Sequence, residues 1–340
     1  YVRDLIGSRT SFLYLSLLVS GQVILASFAI GFAEYTEAIF PGLNMTLVAG
    51  AIMVLCFLAN LFGIKTAARF QSIMVLVLVI SLIFYIFSGF SYVDDYSHYG
   101  DINEIFPSGF AGFFAAAFLL RLSLIGSEFV SEFGDEMENP GVLIPLVMGL
   151  SLLLVVILYI GIAIVATGVL PLEEIKGKNL AATAYVVFSP AVYYAFIGGG
   201  IMISLVTSLN AIFAWCTRGL YMATEDGWLP MKLAAKNRFG TPYIFLTLFF
   251  VVGITPILLD LSLSYVSILG NAVGAIFGLF PVFALYNLAK RNPDAYAKAP
   301  FKLPIWATKL FPLISVVIYG YGIYSSWDFI GNLGWSMLAG

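Results

Sequence analysis

The stretch "SGFAGFFAAAFLLRLSLIGSEFVSEFGDEMENP", Ser108 to Pro140, sets the fold class of this chain. Its first half is apolar or small. Arg121, the Gly126-Ser127 pair and Glu128 then stand where lipid-facing leucines would be expected. An ionised side chain at the bilayer centre costs about 2.5–3.5 kcal/mol on insertion scales. Arg121 and Glu128 lie too far from either end of the segment to snorkel. Two readings are open. In a continuous helix their spacing puts them on one face, two turns apart, as an intramembrane ion pair that fixes packing. Alternatively Ile125, Gly126 and Ser127 interrupt the helix, and freed backbone groups face a water-filled cavity with Glu128 beside them. Irregular backbone at membrane depth is tolerated only where protein or a cavity surrounds it. Further on, Glu132, Asp135, Glu136 and Glu138 read as a solvated helix end. Pro140 and Pro145 stop one helix and start the next.

The rest of the chain agrees with a membrane setting. It is 61% hydrophobic and 10% charged, where a soluble domain carries roughly 25% charged residues. Its mean hydropathy is +0.99. Nine apolar segments recur, near 12–33, 45–64, 70–90, 108–133, 142–170, 185–223, 243–260, 262–288 and 310–327. Most are close to the roughly 20 residues that cross a ~30 Å hydrocarbon core as a helix. The period-2 alternation of a membrane barrel is absent. The fold class expected is all-α and polytopic. The opening "YVRDLIGSRT" reads as a loop, and the tail "GNLGWSMLAG" as a tenth helix cut short. The first and sixth segments exceed a perpendicular span and are expected to tilt.

Charge sets the orientation. With each segment crossing once, the side of Tyr1 holds Arg3, Arg9, Lys65, Arg69, Lys232, Lys236, Arg238, Lys290, Arg291, Lys298, Lys302 and Lys309. The opposite side holds Lys176 and Lys178 only. Lysine and arginine concentrate in cytoplasmic loops, so Tyr1 is expected on the cytoplasmic side, in the plasma membrane. His98, in an acidic outer loop, reads as a solvated surface residue. Cys56 and Cys216 sit inside apolar runs and read as small core residues. There is no basic run for nucleic acid, no set of paired metal ligands, no Ser-His-Asp set and no phosphate-cradling loop. Neither an enzyme nor a bound cofactor is expected.

Other polar residues interrupt apolar runs. Ser204, Thr207 and Ser208 cluster within about one helical turn. Their hydroxyls can coordinate a cation or bond back to the helix backbone. Asn210 needs a partner in lipid. Gln22 and Asn271 read as packing glue between helices.

Taken together, these motifs resemble the amino acid–polyamine–organocation superfamily of transporters. "YVRDLIGSR" resembles the start of that family's third helix. "IGSE" followed by "DEMENP" resembles its sixth helix. "NAIFAWCTRGLYMATEDGWLP" with "FGTP" resembles its eighth helix and following loop, and "KRNPDAYAKAPFKLP" the loop before its eleventh. The resemblance implies a LeuT-like inverted-repeat transporter fold. The nine segments then correspond to helices three to eleven, in a chain that lacks the first two: residues 1–91 finish the first repeat, 107–289 form the second, and 309–340 hold helix 11 and the start of helix 12. It further implies a secondary active transporter of amino acids or polyamine-like cations in the lipid bilayer, working by alternating access. Substrate would meet Leu122, Ile125, Gly126, Ser127 and Glu128. Coupling to Na+ or H+ would involve Ser204, Thr207 and Ser208, with structural or gating roles for Arg121, Asn210, Gln22 and Asn271. Leu122 departs from the aromatic gate of many members. Leu78 stands where some proton-coupled members carry lysine, so a lysine mechanism is not expected. A membrane channel or receptor, or a non-transporting fragment, are the alternatives. The oligomeric state is not written in the sequence.

Overall fold

The computed structural model describes residues 2–63, 67–93, 96, 99–100, 106 and 109–339, with side chains described except at 67–70, 132–133, 135–136 and 325–339. Tyr1, Lys65 and His98, and the side chains of Arg69, Glu132, Asp135 and Glu136, lie outside the described residues.

The chain is an all-α polytopic membrane protein. Among the described residues, seven helical runs are long and apolar enough to cross a bilayer: Ser8–Ile39, Gln71–Phe90, Gly109–Ser131, Pro140–Val169, Pro190–Glu225, Leu263–Arg291 and Ile305–Tyr324. Two shorter apolar helices, Met45–Leu61 and Tyr243–Leu258, complete the nine expected segments in order. Among the described residues there is no strand, only an isolated bridge between Lys236 and Pro242.

In chain order the α-helices are α1 (Val2–Leu5), α2 (Ser8–Ser20), α3 (Leu25–Ile39), α4 (Met45–Leu61), α5 (Ala67–Phe90), α6 (Gly109–Leu124), α7 (Pro140–Val169), α8 (Leu172–Ile175), α9 (Ala181–Val187), α10 (Pro190–Ala195), α11 (Ile203–Glu225), α12 (Tyr243–Leu258), α13 (Leu263–Arg291), α14 (Pro293–Lys298) and α15 (Ile305–Ala339). Two expectations are corrected here. The opening stub is not a plain loop, because Val2–Leu5 forms a helical turn. The tail is not a separate helix, because the backbone of α15 runs unbroken from Ile305 to Ala339.

Local chemistry fixes the ends. Asn44 accepts from the Leu47 amide at 2.9 Å and caps α4; Asn292 does the same for Ala295 at 3.2 Å at α14, satisfying amides that lack a helical partner. Asn139 takes a left-handed φ of 53°, a region that asparagine tolerates better than most residues, and Pro140 then opens α7. The two long runs are not uniform. A 3₁₀ turn, Gly21–Ile24, lies between α2 and α3, and a π-helical stretch, Phe196–Met202, lies between α10 and α11.

The chain forms two compact units, Tyr1–Ile24 with Ser108–Leu152 and Ser264–Gly340, and Leu25–Pro107 with Leu153–Leu263. In the first, α6 packs on α15, with Phe118 buried against Gly322. Tyr14 of α2 stacks on Phe277 of α13 at 4.5 Å.

In the second, α3, α4, α11 and α12 pack together around buried Leu25, Met53, Leu209, Phe213 and Phe249. A neighbouring cluster joins Tyr85 and Ile86 of α5 to Val165, Phe188, Phe196 and Ile197. The Tyr85 ring stacks on Phe196 at 5.3 Å, and its hydroxyl pairs with that of Thr183 at 2.7 Å. In lipid such packing and polar pairing, rather than escape from water, hold helices together. Residues such as Phe87 and Leu47 remain exposed, as lipid-facing side chains do.

Candidate functional site

The interruption in the fourth segment is real. α6 ends at Leu124, and a 3₁₀ segment, Ser127–Glu136, follows Gly126. Gly126 has φ 139° and ψ −37°, outside the regions open to residues with a Cβ. Nothing lies within 4 Å of a Cβ built there, so the demand for glycine is torsional, not steric. The Ile125 amide reaches Leu122 O only at 3.4 Å, and the Phe129 amide reaches Gly126 O at 3.1 Å. Glu128 turns back on this joint and accepts the Gly126 amide on Oε2 at 2.8 Å. Gly126 and Glu128 are exposed, whereas Leu122, Ile125 and Ser127 are half-buried.

Arg121 and Glu128 form no ion pair. The Arg121 guanidinium instead donates from Nη2 to the Asn271 carbonyl at 3.2 Å. It lies over the rings of Tyr319, at 5.1 Å, and Phe118, at 5.9 Å. A Cβ at Gly274 would sit 3.2 Å from its Nη2, so the missing side chain makes room for the charge. A carbonyl dipole and two ring faces are partial substitutes for a carboxylate. Asn271 locks the same contact from the other side, donating from Nδ2 to Phe118 O at 2.6 Å. Arg121 Nε and Asn271 Oδ1 are buried without a partner, as is Oε1 of Gln22. The Gln22 amide nitrogen bonds back to Leu18 O at 3.0 Å. The expected glue is present at Asn271, which joins α13 to α6, whereas Gln22 bonds only within its own helical run.

The hydroxyl cluster on α11 is arranged differently. Ser204 donates to Ile201 O at 2.6 Å and Thr207 to Ser204 O at 2.8 Å. Their protons are engaged within the helix, while their oxygen lone pairs stay available. Thr207 O also accepts from Gln71 of α5 at 3.3 Å. Ser208 is half-buried one position on. Asn210 has a partner: Asn60 Nδ2 donates to its Oδ1 at 2.7 Å and to Cys56 O at 2.9 Å.

That pairing continues into the loop carrying "NRFGTP". Thr241 donates to Asn60 O at 3.1 Å, and Asn237 donates to Leu61 O at 2.7 Å. Asn237 Oδ1 in turn accepts the Phe239 and Thr241 amides at 2.9 and 3.1 Å. Sequence reading missed Asn60, Gln71 and Asn237. Asn60 carried the same signal as Asn210, a lone amide in an apolar run.

The predicted residues thus fall into two groups, each within one compact unit: Gln22, Arg121, Leu122, Ile125, Gly126, Ser127, Glu128 and Asn271 in the first, and Ser204, Thr207, Ser208 and Asn210 in the second.

The model of the amino acid permease family matches residues 1–333. The chain belongs to that family. Among its relatives is the branched-chain amino acid permease BcaP of Bacillus subtilis, 26% identical over 94% of this chain and 70% of the relative. The methylthioribose transporter of the same organism is 24% identical over 91% of this chain and 69% of the relative. An uncharacterized protein of Methanocaldococcus jannaschii is 28% identical over 85% and 67%. The permease therefore keeps family resemblance along nearly its whole length.

Proposed function

We propose that this permease is a secondary active transporter of amino acids or related organic cations, working by alternating access within a LeuT-like inverted-repeat fold. The observation that carries the reading is the break at Gly126 in a membrane-spanning segment. There the carbonyl end of α6 and the amide end at Ser127 meet, and helix ends attract charge of opposite sign. An amino acid carries both signs. Its ammonium suits the carbonyl end and the Glu128 carboxylate, whose second oxygen remains open. Its carboxylate suits the amides at Ser127. Leu122 and Ile125 supply apolar contact for a side chain.

The repeats 1–91 and 107–289, with helix 11 from 309, belong to this proposal. So do the plasma membrane location and the cytoplasmic placement of Tyr1, the second of which rests on the lysine and arginine distribution. The lone pairs of Ser204, Thr207 and Ser208 are the proposed coupling ligands for Na+, and a proton at Glu128 is the other candidate coupling ion. Arg121 and Asn271 hold α6 against α13 beside the break, a gating position. Asn210 holds α11 to α4.

Uptake into proteoliposomes decides the reading. Labelled leucine, lysine and methylthioribose are presented to the full chain with and without imposed Na+ and proton gradients. Saturable accumulation against a gradient of at least one of them is expected, with a severe loss in Glu128→Gln. A flux that never saturates, or no accumulation above equilibrium, overturns transport in favour of a channel. Unchanged uptake in Glu128→Gln for every substrate removes Glu128 from the site.

A further inference from the structure

Arg121 and Asn271 touch, and each carries a polar atom that the contact does not use. Arg121 Nη2 donates to Asn271 O at 3.2 Å, and Asn271 Nδ2 donates to Phe118 O at 2.6 Å. Arg121 Nε and Asn271 Oδ1 are closed to solvent and, among the described residues, bond neither each other nor any third group. Asn271 is 0% exposed, and Phe118, whose carbonyl it holds, is 4% exposed. Native proteins meet nearly all buried donors and acceptors with a protein group or an ordered water. Here one donor and one acceptor are left over on two side chains already in contact.

The chemistry of the pair selects what fits it. Nε–H can only donate, and Oδ1 can only accept. Turning the Asn271 amide over gives no relief, because Oδ1 would then face the Phe118 carbonyl oxygen. A cation would suit Oδ1 but is repelled by the guanidinium. An anion would suit Nε–H but would sit against an amide oxygen. A group that both accepts and donates satisfies the two atoms together, and water is small enough for a site that neither atom opens to solvent. The packing beside the pair is loose. Leaving aside the backbone of its own helix and its two chain neighbours, only Arg121 Nη2, at 3.2 Å, and Ile125 Cδ1, at 3.9 Å, come within 4 Å of a Cβ built on Gly274. Gly274 and Arg121 are half-buried, so water can exchange with the space between them.

We propose that the contact between α6 and α13 is a binding site for one buried water molecule, which accepts from Arg121 Nε and donates to Asn271 Oδ1. The water completes the shell of a guanidinium that otherwise rests on one carbonyl and two ring faces. A water bridge matches a direct hydrogen bond closely in enthalpy but costs entropy to immobilise, so the link it makes between the helices is readily broken and remade. That suits a contact beside the Gly126 joint. This use rests on the transport reading; the water site does not.

A crystal structure of the full chain in lipid, at a resolution that shows ordered water, tests it, together with that of Asn271→Leu. Wild type is expected to show a density peak within about 2.7–3.2 Å of both Nε and Oδ1. Asn271→Leu removes the acceptor and should lose the peak. Should that variant fail to fold, NMR of wild type labelled with ¹⁵N-arginine replaces it: magnetisation should pass from water to the Arg121 Nε–H, whose signal is assigned by its loss in Arg121→Lys. Four results overturn the site: no peak and no transfer from water in wild type, a direct bond between Nε and Oδ1, a peak that persists in folded Asn271→Leu, or an anomalous bromide signal at the position, which marks an anion instead. The two proposals fail separately. Accumulation of substrate by a protein without the peak removes the water site alone; the peak in a protein that accumulates nothing removes transport alone.

Discussion

Asn210 and Asn271 are both amides in membrane-spanning helices, and their surroundings treat them in opposite ways. Asn210 is joined to Asn60, and Asn60 through its carbonyl to Thr241, so the α11–α4 contact runs into a loop where each named amide has a partner. Asn271 is 0% exposed and leaves Oδ1 unpartnered, next to an Arg121 whose Nε is equally alone. A satisfied network rigidifies; a half-satisfied one carries the desolvation penalty of every orphan atom. Polar groups in a membrane helix persist against such a penalty where they serve a path or a gate. The difference separates a structural clamp in the second unit from a strained, charge-bearing region around the Gly126 joint in the first.

The largest expected effect comes from the joint itself. Gly126→Val must place a β-branched residue at φ 139°, at a local cost of about 1–3 kcal/mol. Uptake in proteoliposomes should fall tenfold or more, roughly the equivalent of 1.4 kcal/mol or above. Since no side chain crowds the position, Gly126→Ala should impair uptake less than Gly126→Val but still measurably. Wild-type uptake in both variants would break the link between the joint and function.

Next comes the clamp. Asn60→Leu should destabilise the protein by about 1–3 kcal/mol, because Asn210 Oδ1 loses its donor in an apolar setting. Denaturant unfolding in detergent measures it. The pair Asn60→Leu/Asn210→Leu should cost less than the sum of the single changes, since removing both partners leaves no orphan between them. Asn271→Leu should cost less than Asn60→Leu, about 1 kcal/mol or below. It loses the bond to Phe118 O but also removes an unpartnered oxygen. Uptake, not stability, should register that change. An Asn271→Leu protein as unstable as Asn60→Leu would erase the contrast drawn between the two regions.

Helix number and order were legible because lipid demands long apolar runs, and those runs are composition. The Gly126 joint was legible because glycine, serine and glutamate interrupt one of them, although spacing alone allowed an ion pair just as well. Arg121 found Asn271, a residue 150 positions away, and no local pattern encodes that choice. The 3₁₀ turn at Gly21–Ile24 and the π stretch at Phe196–Met202 left no trace either, since apolar side chains look the same along all three helix types. The Asn60–Asn210 bond follows from packing of α4 on α11, which periodicity does not specify.

The smallest expected effect lies on α11 and probes whether satisfaction always means structure. Ser204→Ala and Thr207→Val each delete a hydroxyl whose proton bonds a carbonyl within the helix. Such back-bonding adds little to a helix and often bends it slightly, so stability should change by about 0.5 kcal/mol or less. A cation, by contrast, uses the lone pairs that the back-bonds leave free, and hard cations require several oxygen ligands at once. Losing two of them should abolish any stimulation of uptake by Na+ while leaving uptake in its absence intact. If Na+ stimulates wild type and both variants alike, the hydroxyls belong with Asn210 as structure. The coupling role then passes to Glu128, whose exposed carboxylate can be tested by the same assay under an imposed proton gradient.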